Sequence, residues 1–135
     1  MVKGRNVNPA SLGPAVGYSH GTRAGNLLFV AGQIGGHPKG DGSWHVHEGF
    51  VQQLGKALEN VVEVIRAEGG LAEDIVEMVI YIKDMAEYRK ARKELAGEWK
   101  RVLGKHYPAV TLVEVSDLFE PGTLVEIRAV ALLEE

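Results

Sequence analysis

Few side chains in this sequence are equipped for chemistry, and their spacing narrows the choice. Cysteine is absent, which removes disulfides, thiolate metal sites and any Cys nucleophile together. His37, Asp41, His45 and His47 cluster in or beside a glycine-rich stretch, and His-x-His suits imidazole ligation. No second pair completes a tetrahedral set, so the expectation is solvated loop histidines and no metal. His20 has no Asp and Ser standing in a triad pattern with it. The glycine-rich run 32–44 (GQIGGHPKGDGSW) has neither a Gly-Lys-Ser/Thr ending nor a G-x-G-x-x-G that opens a helix, and so does not read as a phosphate cradle. Two candidates remain. Glu126 is a carboxylate on an apolar strand, and it shares a strand side with Arg128, which makes an ion pair between them feasible. Tyr18 offers a ring and a hydroxyl for stacking and hydrogen bonding a small ligand.

The elements that position these residues follow from periodicity. Residues 15–21 and 27–31 read as two strands joined at Arg23-Ala24-Gly25-Asn26, and the loop 32–44 is too rich in Gly to carry a regular strand. From Glu48 to Glu68, Phe50, Val51, Leu54, Ala57, Leu58, Val61, Val62 and Ile65 recur at three and four, and Gly69-Gly70 ends the helix. A β-branched strand spans Ile75 to Lys83. A second helix spans Met85 to Leu103, with Tyr88, Ala91, Leu95, Trp99 and Val102 as its apolar stripe. Its basic residues interleave with Glu87, Glu94 and Glu98, Lys90 and Glu94 forming an i,i+4 pair, which reads as a solvated face rather than an RNA-binding stripe. Strands at Ala109–Val115 and Thr123–Leu133 complete the order β-β-α-β-α-β-β.

Composition bounds the answer. The chain has 135 residues, 45% apolar and 24% charged, which is one globular domain (1–135) with a sizeable core. Its 15 Lys+Arg against 18 Asp+Glu leave a net charge of −3, which argues against a nucleic-acid partner. No apolar run approaches ~18 residues, and the first residues lack the apolar core of a secretory signal. A cytoplasmic protein with no membrane partner is expected.

Two helices cover one face of a sheet, yet the strands are apolar on both. In the last strand Val125, Ile127, Ala129, Ala131 and Leu133 share one side, with Leu124, Val130 and Leu132 on the other beside Glu126 and Arg128. In the 75–83 strand Val76, Met78, Ile80 and Ile82 face one way, and Ile75, Val79 and Tyr81 the other. A second copy of the chain is the simplest cover for the bare face.

Several motifs resemble the RidA/YjgF family, the reactive intermediate deaminases also called endoribonuclease L-PSP or translation inhibitors. They are residues 18–34 (YSHGTRAGNLLFVAGQI), Lys56-Ala57-Leu58-Glu59-Asn60, Ile82-Lys83-Asp84-Met85, Pro108-Ala109 and Val125-Glu126-Ile127. The resemblance runs from about Gly13 to Leu132. It implies a chorismate-mutase-like α+β fold, one mixed sheet with two helices on one face, assembled as a homotrimer that binds a small metabolite in clefts between subunits, with no cofactor.

The resemblance also assigns residues. Glu126 matches the carboxylate that orients a water toward an imine carbon, a general-base role. Tyr18, Gly32 and Ala109 match ligand-binding positions. Deaminase members read Pro-Ala-Arg-Ser, the arginine forking onto the substrate carboxylate, whereas this chain has Val110 there. A position commonly Asn is Arg92, and one commonly acidic is Arg128. Arg128, Arg92 and Arg23 are therefore the candidates for a relocated cation. The implied function is binding, and hydrolysis of an enamine or imine, with ordinary 2-imino acid turnover weak or absent. A trimer that binds a ligand or partner without catalysis is the alternative; the charge balance disfavours the RNA-cleaving and translation-inhibiting reading.

Overall fold

The three-and-four spacing of apolar residues produces the long helix, α1 (Phe50–Ala67), whose buried face includes Phe50, Leu54, Leu58, Val61 and Ile65. It stops where Gly69 adopts a positive φ of 81° and the Gly70 amide returns to the Ile65 carbonyl. The computed structural model, which describes residues 3–134, lays this helix across a sheet. The strands are β1 (Arg5–Val7), β2 (Gly21–Ala24), β3 (Leu27–Ile34), β4 (Gly36–Pro38), β5 (Trp44–Val46), β6 (Ile75–Ile82), β7 (Ala109–Glu114) and β8 (Val125–Leu132). Between β6 and β7 run α2 (Met85–Lys90) and α3 (Arg92–Leu103).

The main sheet has six strands in the order β1-β2-β3-β8-β6-β7, and β4 and β5 form a separate two-stranded ribbon. Every neighbouring pair of the main sheet is antiparallel except β6 with β7, so the sheet is mixed. Leu28, Val30, Met78, Ile80, Ile82, Val125, Ile127, Ala129 and Ala131 are buried beneath α1 and α3. A fully buried Leu or Ile contributes roughly 1.5–3 kcal/mol, so this layer dominates stability. The other face carries Leu27 opposite Leu132 and Phe29 opposite Val130, and within the chain Leu27, Phe29 and Leu132 remain exposed. The α+β class and the helix-on-one-face arrangement are as the alternation indicated.

The local readings change in five places. The first hairpin is β2–β3 around Gly25-Asn26, with Gly25 at φ 61°, and residues 15–20 are bends rather than strand. The glycine-rich run is not strandless: β3 continues through Gly32 to Ile34, and Gly36–Pro38 pairs with Trp44–Val46. Its glycines permit close backbone approach, as at Gly35, where a Cβ would strike the α1 backbone at Gln53. The second helix is broken at Ala91, which separates Lys90 from Glu94, and no ion pair joins them among the described residues. In β6 a register shift between Ile75 and Glu77 puts Ile75 in the core and leaves Val76 exposed, the reverse of strict alternation. Finally, Arg128 pairs with Glu77 at 3.7 Å, across the sheet, rather than with Glu126.

Candidate functional site

A cleft of about 740 Å³ opens where β3 ends and β8 begins. Ala31, Gly32 and Ile34 of β3 and Glu126 of β8 form its floor, and Trp44 of β5 stands at one side. Val16 and Tyr18 close another side, and Phe119 and Glu120 come from the loop before β8.

The floor is shaped by a bulge. Val30 pairs with Ala129 but Gln33 pairs with Ile127, so β3 carries one extra residue across Ala31-Gly32. Bulges of this kind re-aim side chains beside functional sites. Here the carboxylate of Glu126 comes to rest against Gly32, in the space a Cβ would fill. Burial pushes the Glu126 carboxyl above its usual range, and no hydrogen bond or ion pair reaches it among the described residues. A carboxylate desolvated and left without a partner is a strong proton acceptor. The Tyr18 hydroxyl is pushed up by burial, then by the nearby charges of Glu126 and Glu120, and so stays protonated.

Behind the cleft lies a polar support. His20 is fully buried, with Nε2 at 3.3 Å from the Gly13 carbonyl and Nδ1 at 3.4 Å from the Gln33 amide nitrogen. A neutral ring that donates from Nε2 and accepts at Nδ1 satisfies both contacts. Burial holds the His20 pKa below its ordinary value. The Gln33 amide also donates to the Ala31 carbonyl at 3.2 Å, which fixes the bulge. His20 stands edge-on to Tyr18 and to Trp44, at ring separations of 5.5 and 6.2 Å. It lies behind the wall rather than in it.

From the other side, Gln53 of α1 donates to the His47 and Gly122 carbonyls at 2.9 and 3.0 Å. Its carbonyl accepts from the Leu124 amide at 2.8 Å. One buried side chain therefore anchors both the end of the β4–β5 ribbon and the loop that carries Phe119 and Glu120.

Of the residues singled out from sequence, the chain brings Tyr18, Gly32 and Glu126 together. Ala109 and Val110 lie on β7, the sheet edge; Val110 is level with Met78 and Ala129, on the helix side. Arg92 is an exposed residue at the start of α3. Arg23 is engaged by Glu68 at 3.4 Å and by the Glu134 carbonyl at 3.2 Å. His37, His45 and His47 gather on the ribbon, His37 Nδ1 lying 3.3 Å from His47 Nε2, but no three ligating groups among the described residues are placed to hold an ion. Asp41 lies apart from them, in the cleft wall. Trp44, Phe119 and Glu120 went unnoticed in the sequence. Glu120 was within reach of inference, because Pro121-Gly122 turns its loop back onto the start of the Glu126 strand.

The chain belongs to the Endoribonuclease L-PSP family, the RidA/YjgF proteins its motifs resemble, matching over residues 8–133. A RutC family protein of Pyrococcus horikoshii is 35% identical over 127 residues, covering 93% of this chain and 92% of that one. The 2-iminobutanoate/2-iminopropanoate deaminase of Escherichia coli K12 is 28% identical, covering 92% and 91%. The crystal structure of E. coli TdcF with bound serine superposes with a TM-score of 0.80 at 25% identity, covering 96% of this chain and 99% of that one.

Proposed function

We propose that the protein is a homotrimer that binds a small metabolite in the Tyr18–Glu126 cleft, completed between subunits, and hydrolyses an enamine or imine there. The observation that carries this reading is Glu126: a desolvated, unpartnered carboxylate fixed against Gly32 beside a protonated Tyr18. A water held by that carboxylate gives up its proton as its oxygen bonds to the imine carbon. The likeness to a 2-iminobutanoate/2-iminopropanoate deaminase supports the reaction class. Trimer formation is supported by the bare apolar sheet face around Leu27, Phe29 and Leu132.

The proposed reaction is tested by release of ammonia from imines generated in situ by an oxidase. Wild type should accelerate it, and Glu126→Gln should lose about a hundredfold or more of that acceleration. The assembly is tested by light scattering, which should give three times the 14.7 kDa chain mass. Subunit contacts should bury on the order of 2,000 Å² per pair. A second reading, binding without catalysis, is favoured by Val110 in place of the substrate-clamping arginine. Ligand binding with no ammonia from any imine would establish it.

A further inference from the structure

Two side chains behind the cleft are polar and yet enclosed by their own chain: His20 is 0% exposed and Gln33 2%. A second copy of the chain adds no contact to either, so what they do is decided within the subunit. Burying polar groups is costly unless each finds a partner, and the partners found here converge on one residue. The main chain of His20 is held on both sides. Its amide donates to the Asn8 side-chain carbonyl and its carbonyl accepts from the Ala31 amide, each at 2.9 Å. Its ring is held at Nε2 by the Gly13 carbonyl. The remaining polar atom, Nδ1, meets the Gln33 amide nitrogen, whose second contact is the Ala31 carbonyl. Ala31 is thus gripped at its amide by the His20 main chain, and at its carbonyl through the His20 ring by way of Gln33.

That arrangement admits one form of the neutral ring and one orientation of the amide. With the ring proton on Nδ1, the Nε2 lone pair would face the Gly13 carbonyl, and two donors would meet at Gln33. Turning the Gln33 amide over would relieve the second conflict only by setting its oxygen against the Ala31 carbonyl. With the proton on Nε2 every contact runs from donor to acceptor, and both hydrogens of the Gln33 amide are used. Ala31 opens the bulge in β3, and its next residue, Gly32, lies against the Glu126 carboxylate.

We infer that His20 is a positioning residue for the reaction at Glu126: the unprotonated Nδ1 of its ring orients the Gln33 amide, which holds the Ala31–Gly32 bulge and with it the seat of the carboxylate. The inference rests on the proposed hydrolase reading for its effect on turnover, though not for its effect on geometry. His20 touches no reacting atom. A residue that acts by placing the base changes the chemical step more than the hold on substrate. What the position requires is a donor on one side and an acceptor on the other, rather than ring volume. Glutamine can supply both; phenylalanine supplies neither.

The test follows ammonia release from imines generated by an oxidase, in wild type, His20→Gln, His20→Phe and Gln33→Met. Nuclear magnetic resonance of the isotope-labelled intact proteins accompanies it. His20→Phe and Gln33→Met should each lower kcat about tenfold or more while KM changes less than about threefold. His20→Gln should stay within about threefold of wild type in both. In wild type the His20 ring should carry its proton on Nε2 and none on Nδ1. The raised titration midpoint of the Glu126 carboxyl should fall toward its ordinary value in His20→Phe and Gln33→Met, as the released carboxylate regains water, and should hold in His20→Gln. A proton on Nδ1 in the wild-type ring would overturn the inference without any variant having to fold. So would wild-type turnover in His20→Phe, or a loss in His20→Gln as large as in His20→Phe. If wild type releases no ammonia, the hydrolase reading falls, and the ring proton and the Glu126 midpoint decide the positioning role without it.

Discussion

The carboxylate of Glu126 occupies the volume that a β-carbon at Gly32 would need. The two residues sit on neighbouring strands, and the bulge in β3 brings the glycine beneath the acid. The absence of a side chain at position 32 is thus a condition for the position of the carboxylate at 126.

Gly32→Ala should therefore displace Glu126 while sparing the fold. Overpacking at such a contact costs about 1–3 kcal/mol, measurable by urea denaturation. Moving a catalytic group by about an ångström reduces turnover by on the order of a hundredfold. Loss of imine hydrolysis, with unfolding still cooperative and the urea midpoint lowered by no more than that cost, is the expected pair of results; unchanged turnover would show that Glu126 tolerates the shift.

The raised pKa of Glu126 has consequences of definite sign. In the proposed role of base it would work only when ionised, so turnover should fall on the acid side at a pH above the ordinary carboxylate value of about 4.3. The folded protein also holds this proton more tightly than the unfolded chain does. Its contribution to stability is therefore fully present below the unfolded value and is lost as pH rises through the raised one, leaving a penalty at neutral pH. Glu126→Gln should remove the acid limb of the rate profile along with the rate, and should melt higher than wild type at pH 7.

His20 acts in the opposite direction. Its folded pKa is depressed, so its contribution to stability is fully present above the unfolded value of about 6.5 and is lost as pH falls toward the depressed one. His20→Phe keeps a ring against Tyr18 and Trp44 but leaves the Gly13 carbonyl and the Gln33 amide without this partner. The expected loss is about 1–3 kcal/mol at neutral pH, shrinking in acid. A loss that stays constant from pH 7 to pH 5, followed by thermal melts, would contradict a neutral buried ring.

Gln53→Ala would release three backbone groups at once: the His47 and Gly122 carbonyls and the Leu124 amide. A destabilisation of about 2–3 kcal/mol is expected, read from chemical denaturation. Ligand binding should weaken as well, because Phe119 and Glu120 lose their tether.

Most of the architecture was legible because it follows from periodicity. The stripe from Phe50 to Ile65 could only be a helix with one buried face, and the alternation in β8 could only be a sheet strand. The strand at 75–82 was legible too, but not its bulge: Ile75 and Val76 are both β-branched, and only pairing with β8 decides which is buried. The glycine run misled because Gly weakens a strand without forbidding one, and neighbouring strands supply the missing preference. At the site, Tyr18, Gly32 and Glu126 were found through motifs. Trp44 and Phe119 were not, since the β4–β5 ribbon and an irregular loop bring them in from sequence-distant or unpatterned positions, and Glu120 had only the Pro121-Gly122 turn behind it as a signal. The Arg128–Glu126 pairing failed for a related reason: neighbours along a strand compete with neighbours across it, and Glu77 lies closer to the guanidinium in space.

In chain order β8 is the last strand of the domain, yet in the sheet it lies centrally, between β3 and β6. During synthesis the two halves of the sheet therefore emerge with their inner edges bare, and such edges invite pairing with other chains. The carboxylate of the cleft travels on the strand that joins them. A nascent chain interrupted before residue 125 would lack both the seam of its sheet and the acid in its cleft floor, so the cleft acquires its carboxylate with the final step of closure and never ahead of it.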